Sequence, residues 1–195
     1  MLEDAVDHLI QNVLPAAADY AAAESALSSA YRVNPDPGAW KEAALTVKRR
    51  AAELAIAIDG LTDRSAAVLG VDKPSIRQDV SSLCNWPGSA VPRNGALERM
   101  RGVANAYKHT NLGDRTLPIA SEDDVLVVSL GYGLDAFGVG KYDGVEVLVR
   151  ERSGTKYKVL GDAPVAVAAW FAFFCRHRAV LPAGPFHVCG LQIWP

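Results

Sequence analysis

The segment 98–112, ERMRGVANAYKHTNL, carries the polar side chains of this sequence that could do chemistry. Arg101, Asn105 and His109 recur at intervals of four residues. Residues four apart lie about 40° from each other on a helix, so the three would form one slanted polar stripe. Cleavage of an RNA phosphodiester needs a group that moves a proton near neutral pH and a cation that stabilises the phosphate. The stripe is therefore a predicted catalytic set, in which His109 moves the proton, Arg101 stabilises charge and Asn105 orients the imidazole or binds a phosphate oxygen.

Positive charge is concentrated around this stripe. Five lysine or arginine residues and two acids lie in the segment 93–115, whereas the whole chain has a net charge of −2. Lys108 and Arg99 are therefore predicted to bind an anionic partner such as RNA. The alternative is a solvated outer face of a bundle helix, which is what charged helix faces usually are.

The apolar residues of the same segment predict which way the stripe points. Met100, Val103, Ala104 and Tyr107 cluster on a sector centred roughly 140° from the stripe and should face the core. The stripe should then point outward. It would meet either solvent or the same stripe of a second subunit across a twofold axis, which predicts a homodimer.

The sequence ANAYKH at 104–109, followed by TNL, resembles the motif helix of HEPN-superfamily proteins and of uncharacterised bacterial helical proteins related to them. Many HEPN proteins are dimeric, metal-independent ribonucleases whose motif is an arginine, a short spacer and a histidine, often with asparagine directly after the arginine. Asn105 and His109 match that pattern, but Ala104 stands where the motif has arginine. Arg101, the nearest upstream arginine, leaves a longer spacer of seven residues. The resemblance thus implies either a ribonuclease or a noncatalytic binding or dimerisation module.

Bulk composition predicts one ordinary globular domain covering residues 1–195. Half of the residues are hydrophobic and 22% are charged, which excludes a disordered chain. The N-terminus has acids where a secretory signal has basic residues, and three cysteines are too few and odd in number for a disulfide framework. We therefore expect a cytoplasmic protein. The longest uncharged apolar run, 163–175, has 13 residues, against about 20 for a spanning helix, so we expect a buried helix and no membrane partner.

Apolar residues repeated every three or four positions predict four helices in the first 112 residues. The clearest has a seam of seven apolar residues and should begin at Pro37, with Asp36 as its cap. The predicted helices are 2–32 with a kink or restart at Pro15, 37–70, a short helix from Asp72, and 94–111 capped by Asn94.

After residue 112 the spacing of the apolar residues changes from that of helices to that of strands. The segment after Asp124 and the alternation of Val145, Val147 and Val149 predict a three-stranded antiparallel sheet. A last helix should begin at Asp162 and end before Pro182, and the tail has no regular pattern. The predicted fold class is mainly α: a four- or five-helix HEPN-like bundle (1–112 and 162–181) with a small antiparallel sheet inserted at 120–161.

Three other patterns could carry function. The glycine-rich segment 131–144 departs from the spacing of a phosphate-binding loop and is predicted to connect strands. Cys175, His177, His187 and Cys189 have metal-ligand types, but residues two apart on a helix point about 200° from each other. We therefore expect no metal and no cofactor, with Cys175 in the core. A small-molecule pocket between sheet and bundle, lined by Trp170 or Tyr132, is the remaining alternative.

Overall fold

A computed structural model describes residues 2–109, 116–129 and 145–194. It confirms the predicted fold class, because these residues form a mainly helical bundle with a small antiparallel sheet before the last helix. The helices are α1 Glu3–His8, α2 Leu14–Val33, α3 Lys41–Leu69, α4 Lys73–Ser81, α5 Ala96–Lys108 and α6 Val159–Arg176. The strands are β1 Val125–Ser129, β2 Val145–Arg150, β3 Lys156–Lys158, β4 Phe186–Val188 and β5 Leu191–Ile193.

The first two helices form one continuous helical unit. A π-helical turn, Leu9–Val13, joins them. Pro15 lies in the first turn of α2, directly after the π turn, and a proline inside a continuous helix removes one backbone hydrogen bond and disturbs the preceding turn. The kink or restart predicted at Pro15 is therefore a π turn directly before it.

The longest helix, α3, confirms the predicted seam but not its start. Asp36 accepts a hydrogen bond from the N–H of Gly38 at 3.0 Å within a turn, so it does not cap the helix. The helix begins at Lys41 and ends before Gly70, whose φ of 63° is left-handed. The buried residues of the seam pack against α2 and α5. They are Val47, Ala51, Leu54, Ile58 and Leu61.

The last helix, α6, forms the centre of the core. Among the described residues it is the one helix long and apolar enough to cross a membrane, and 72% of its apolar window is buried inside the protein. It begins at Val159, three residues before the predicted Asp162. The reason is that Asp162 bonds arginine side chains instead of capping the helix.

Two sheets are present in the part of the chain that the structure describes. The first has the order β1-β2-β3, is antiparallel as predicted, and pairs Val127 with Val147. The second is a hairpin of β4 and β5 in the tail, where no regular structure was predicted. Cys189 and Gly190 form its turn with φ of 51° and 83°, the left-handed pair that a two-residue hairpin turn requires.

Two earlier expectations fall outside the described residues. The glycine-rich segment lies within 130–144, and so does Tyr132.

Candidate functional site

Helix α5 holds the predicted site, and its inner face is the face expected from the sequence. Met100, Val103 and Ala104 are fully buried, and Tyr107 is half-buried. Burial, followed by the nearby charge of Glu122, raises the pKa of Tyr107 to about 12. The phenol therefore stays protonated near neutral pH and can donate a hydrogen bond.

The start of α5 depends on glycine rather than on the predicted Asn94 cap. Gly95 occupies the position before the helix with a φ of 78°. A β-carbon there would lie 2.6 Å from Nη1 of Arg99. Both the backbone conformation and the close approach of the guanidinium therefore require glycine at this position.

The outer face of α5 carries the predicted polar stripe. Arg101 and Asn105 are half-buried, whereas Lys108 and His109 are exposed. The helix ends at Lys108, and His109 is extended, with φ −132° and ψ 130°. The prediction that this helix continues to residue 111 is therefore wrong, because the backbone leaves the helical conformation at His109.

The separation between Arg101 and His109 bears on whether both can act on one phosphate. At about 1.5 Å per residue, their positions are separated by roughly 12 Å along the helix direction. This axial separation favours contacts with different groups of an extended partner over contact with one phosphate, which Arg101 would reach only with its side chain extended toward His109.

A carboxylate of α3 lies between two cations beside the stripe. Asp59 contacts Nζ of Lys108 at 3.0 Å and a guanidinium nitrogen of Arg77 in α4 at 3.6 Å. The side chain of Asp59 is only 11% exposed. These three groups together carry a net charge of +1.

A cleft of about 530 Å³ opens between α3, α4 and α5 next to the stripe. This volume is typical of small-molecule sites. Four charged side chains line it, two of each sign, together with apolar residues and neutral polar residues. The charged residues are Asp59, Arg77, Glu98 and Arg101; the apolar residues are Ile58, Pro74 and Leu97; the neutral polar residues are Thr62, Gln78, Ser81 and Thr116.

Two charged residues of this lining, Glu98 and Arg77, each have a buried polar atom that makes no hydrogen bond within residues 2–109, 116–129 and 145–194. These atoms are Oε2 of Glu98 and Nε of Arg77. The other carboxylate oxygen of Glu98 accepts a hydrogen bond from the hydroxyl of Ser81. Each residue is therefore anchored at one end and keeps unused hydrogen-bonding capacity at the other.

Sequence reasoning missed this cleft. Asp59 and Arg77 lie in helices distant from the motif segment, and neither belongs to a spacing pattern. Glu98 lies in the motif segment, but the sequence alone shows no partner that would mark it as part of a site.

Arg99, predicted to bind an anionic partner, is enclosed instead. It is 1% exposed. Its guanidinium donates to both carboxylate oxygens of Asp162 at 2.7 and 2.9 Å and to Glu151 at 2.9 Å. The ring of Tyr157 covers it at 3.6 Å. The prediction for Arg99 is therefore wrong, because the burial and hydrogen bonds of its side chain keep an external partner away.

Two further expectations are corrected. Cys175, predicted to pack in the core, is exposed near the end of α6. Trp170 is fully buried, with its ring centroid 5.3 Å from that of Phe173, so it lines no open pocket between sheet and bundle. Within the described residues, no group of three or more histidine, cysteine, aspartate or glutamate side chains could hold a metal ion.

Comparisons with known proteins do not extend this description: no family model, no curated protein and no solved structure matches the chain.

Proposed function

We propose that this protein is a noncatalytic, HEPN-like binding module that holds RNA or another anionic partner along the outer face of α5. One observation carries the proposal. Arg101, Asn105 and Lys108 reach the surface along α5, and His109 does so directly after its end, while the opposite side of the helix is buried in the core. Guanidinium, amide and ammonium groups are among the side-chain groups that contact phosphate oxygens in nucleic-acid complexes.

Binding without cleavage is favoured by two positions. Ala104, which stands where the HEPN motif has arginine, is fully buried. Arg101, the substitute one turn earlier, is roughly 12 Å along the helix direction from His109. A proton-transfer group and a charge-stabilising group must act on the same phosphate for cleavage, so this spacing suits attachment to a polyanion better.

A homodimer belongs to the same proposal. The stripe lies on one side of the molecule, where a twofold axis would place two copies of α5 next to each other and double the basic surface. Light scattering coupled to size-exclusion chromatography should give about twice the chain mass of 20.8 kDa. A monomer at all accessible concentrations would remove the dimer from the proposal.

Fluorescence anisotropy with a labelled single-stranded RNA tests the binding surface. We expect binding that weakens steeply as salt is raised, because phosphate contacts release counterions. Lys108→Ala should weaken binding and lower the salt slope by about 1. Arg49→Ala is the matched control, since Arg49 is exposed on α3 away from the cleft lining.

Two results would contradict this proposal. An absence of RNA binding at low salt, or equal losses in both variants, would favour the alternative that the stripe is a structural or protein-interaction surface. Cutting of the RNA in EDTA by the wild type, abolished in His109→Ala, would show a metal-independent ribonuclease.

A further inference from the structure

We infer that the cleft between α3, α4 and α5 binds a small zwitterion that carries an ammonium and a carboxylate group, as α-amino acids do. This inference goes beyond the proposed function. It concerns a ligand in the cleft rather than a polyanion on the surface, and it does not depend on RNA binding.

The charges around the cleft are balanced. Asp59 and Glu98 contribute negative charge, and Arg77 and Arg101 contribute positive charge. A partner of a single sign would meet repulsion from one pair while it was attracted by the other. A ligand with both signs can be complementary to both pairs.

The unused hydrogen-bonding atoms in the cleft have opposite roles. Oε2 of Glu98 is an acceptor, Nε of Arg77 is a donor, and both are buried without a partner in the described part of the chain. Buried polar atoms of this kind are rare in native proteins, because each lost hydrogen bond is costly. An ammonium group would satisfy the first atom and a carboxylate the second, and both hydrogen bonds would be of the stronger, charge-assisted class.

The anchoring of these two residues favours this arrangement. The hydroxyl of Ser81 holds Oε1 of Glu98, which leaves Oε2 for a ligand. The ion pair of Arg77 with Asp59 uses a terminal nitrogen, Nη2, at 3.6 Å. The Nε of Arg77 thus remains for a carboxylate oxygen.

The apolar part of the cleft lining would contact the side chain of the ligand. Ile58, Pro74 and Leu97 line it with apolar atoms, and burial of apolar surface supplies the main driving force for small ligands. Its volume of about 530 Å³ leaves space for a side chain beside the two charged groups. We therefore expect amino acids with large aliphatic or aromatic side chains to bind best.

The test uses ligands that differ by one charged group. ¹⁵N NMR titration of the full chain would compare L-phenylalanine with phenethylamine, which lacks the carboxylate, and with 3-phenylpropanoate, which lacks the ammonium. L-leucine, isoamylamine and 4-methylpentanoate form a second series. We expect each zwitterion to bind at least about tenfold more tightly than either of its analogues, since each analogue leaves one charged group of the cleft unsatisfied.

Variants assign the two contacts separately. Glu98→Gln should remove the preference for L-phenylalanine over 3-phenylpropanoate, and Arg77→Gln the preference over phenethylamine. Arg49→Gln, outside the cleft, should change neither preference. Circular dichroism of each variant would establish that it is folded before its titration is compared with that of the wild type.

Three outcomes would overturn the inference. They are no chemical-shift change with any of the six compounds at millimolar concentration, equal affinity of a zwitterion and its analogues, and unchanged preferences in both cleft variants. RNA binding measured on the same Glu98→Gln protein separates the two proposals, because Glu98 is not one of the residues assigned to RNA. RNA binding by a wild-type protein that binds none of the six compounds would reject the cleft ligand alone.

Discussion

Helix α5 has charged groups on two sides, and the two groups differ in how completely their polar atoms are hydrogen-bonded. The inner cluster consists of Arg93, Arg99, Glu151 and Asp162, between α5, α6 and the sheet. The cleft set consists of Asp59, Arg77, Glu98 and Arg101. Glu98 and Arg99 are adjacent in sequence, yet they belong to different groups because successive helical residues point about 100° apart.

The charged groups of the inner cluster are hydrogen-bonded to one another and largely shielded from solvent. Asp162 is fully buried and receives hydrogen bonds from Arg93 at 2.6 Å and from Arg99 at 2.7 and 2.9 Å. Arg99 also donates to the backbone oxygen of Asn94 at 3.0 Å. With each of its guanidinium nitrogens engaged and its side chain only 1% exposed, Arg99 fixes the position of α5 on α6 and is shielded from an external ligand.

The cleft set, by contrast, has polar atoms that are left without a hydrogen bond beside a cavity. Oε2 of Glu98 and Nε of Arg77 make no hydrogen bond to any residue that the structure describes, and both residues line a cavity. The comparison suggests that hydrogen-bond satisfaction, rather than residue type or burial, separates charged groups that stabilise the fold from those that can bind a ligand.

The largest effect should follow from opening the inner cluster. Asp162→Ala leaves two buried guanidinium groups without their shared carboxylate, which should lower the free energy of unfolding by about 3–5 kcal/mol. Urea denaturation followed by circular dichroism measures this loss. Asp79→Ala is the control, because Asp79 is exposed on α4, and its effect should stay within about 0.5 kcal/mol. Similar losses in the two variants would contradict the structural role of the cluster.

A smaller loss of stability should come from replacing Asp124, a second carboxylate that is held by hydrogen bonds. Burial raises its pKa, but hydrogen bonds from the backbone of Ala120, from Arg150 and from the backbone of Ser121 outweigh burial, so that the pKa lies below its ordinary value. A carboxyl with a lowered folded pKa stabilises the protein above its unfolded pKa of about 3.9, and that stabilisation disappears as the pH falls through the folded pKa.

The corresponding experiment compares the wild type with Asp124→Asn across pH. At pH 6 the variant should be less stable by about 1.5–3 kcal/mol, the usual range for hydrogen bonds to a charged group. The difference should shrink as the pH falls below about 4. A difference that is independent of pH would mean that the charge of Asp124 contributes nothing.

The parts of the structure set by local patterns could be predicted from the sequence. The apolar seam of α3, the inner face of α5 and the three-stranded sheet each follow from a repeat that the backbone period imposes. Helix boundaries were less predictable where one polar residue had two possible uses. Asp36 caps a turn instead of α3, and Asp162 bonds two arginines instead of capping α6.

The site depends on contacts that leave no local pattern. Arg99 and Asp162 are 63 residues apart, and Lys108 and Asp59 are 49 apart. Without their partners, Arg99 and Arg101 are equivalent members of one basic segment, which is why Arg99 was assigned to the surface. The tail hairpin was missed because its turn is Cys189-Gly190, whereas the usual signal is asparagine or aspartate before glycine.

The arginine Nε–H groups offer the most direct test of the contrast between the two sides of α5. Their ¹⁵N NMR signals, assigned with Arg77→Gln, can be followed in water and during titration with L-phenylalanine. We predict slow solvent exchange and no response for Arg93 and Arg99, whose Nε atoms donate to Asp162, and a shifted, newly protected signal for Arg77. An Arg77 signal that is as protected as that of Arg99 before ligand is added, and unchanged afterwards, would contradict the account.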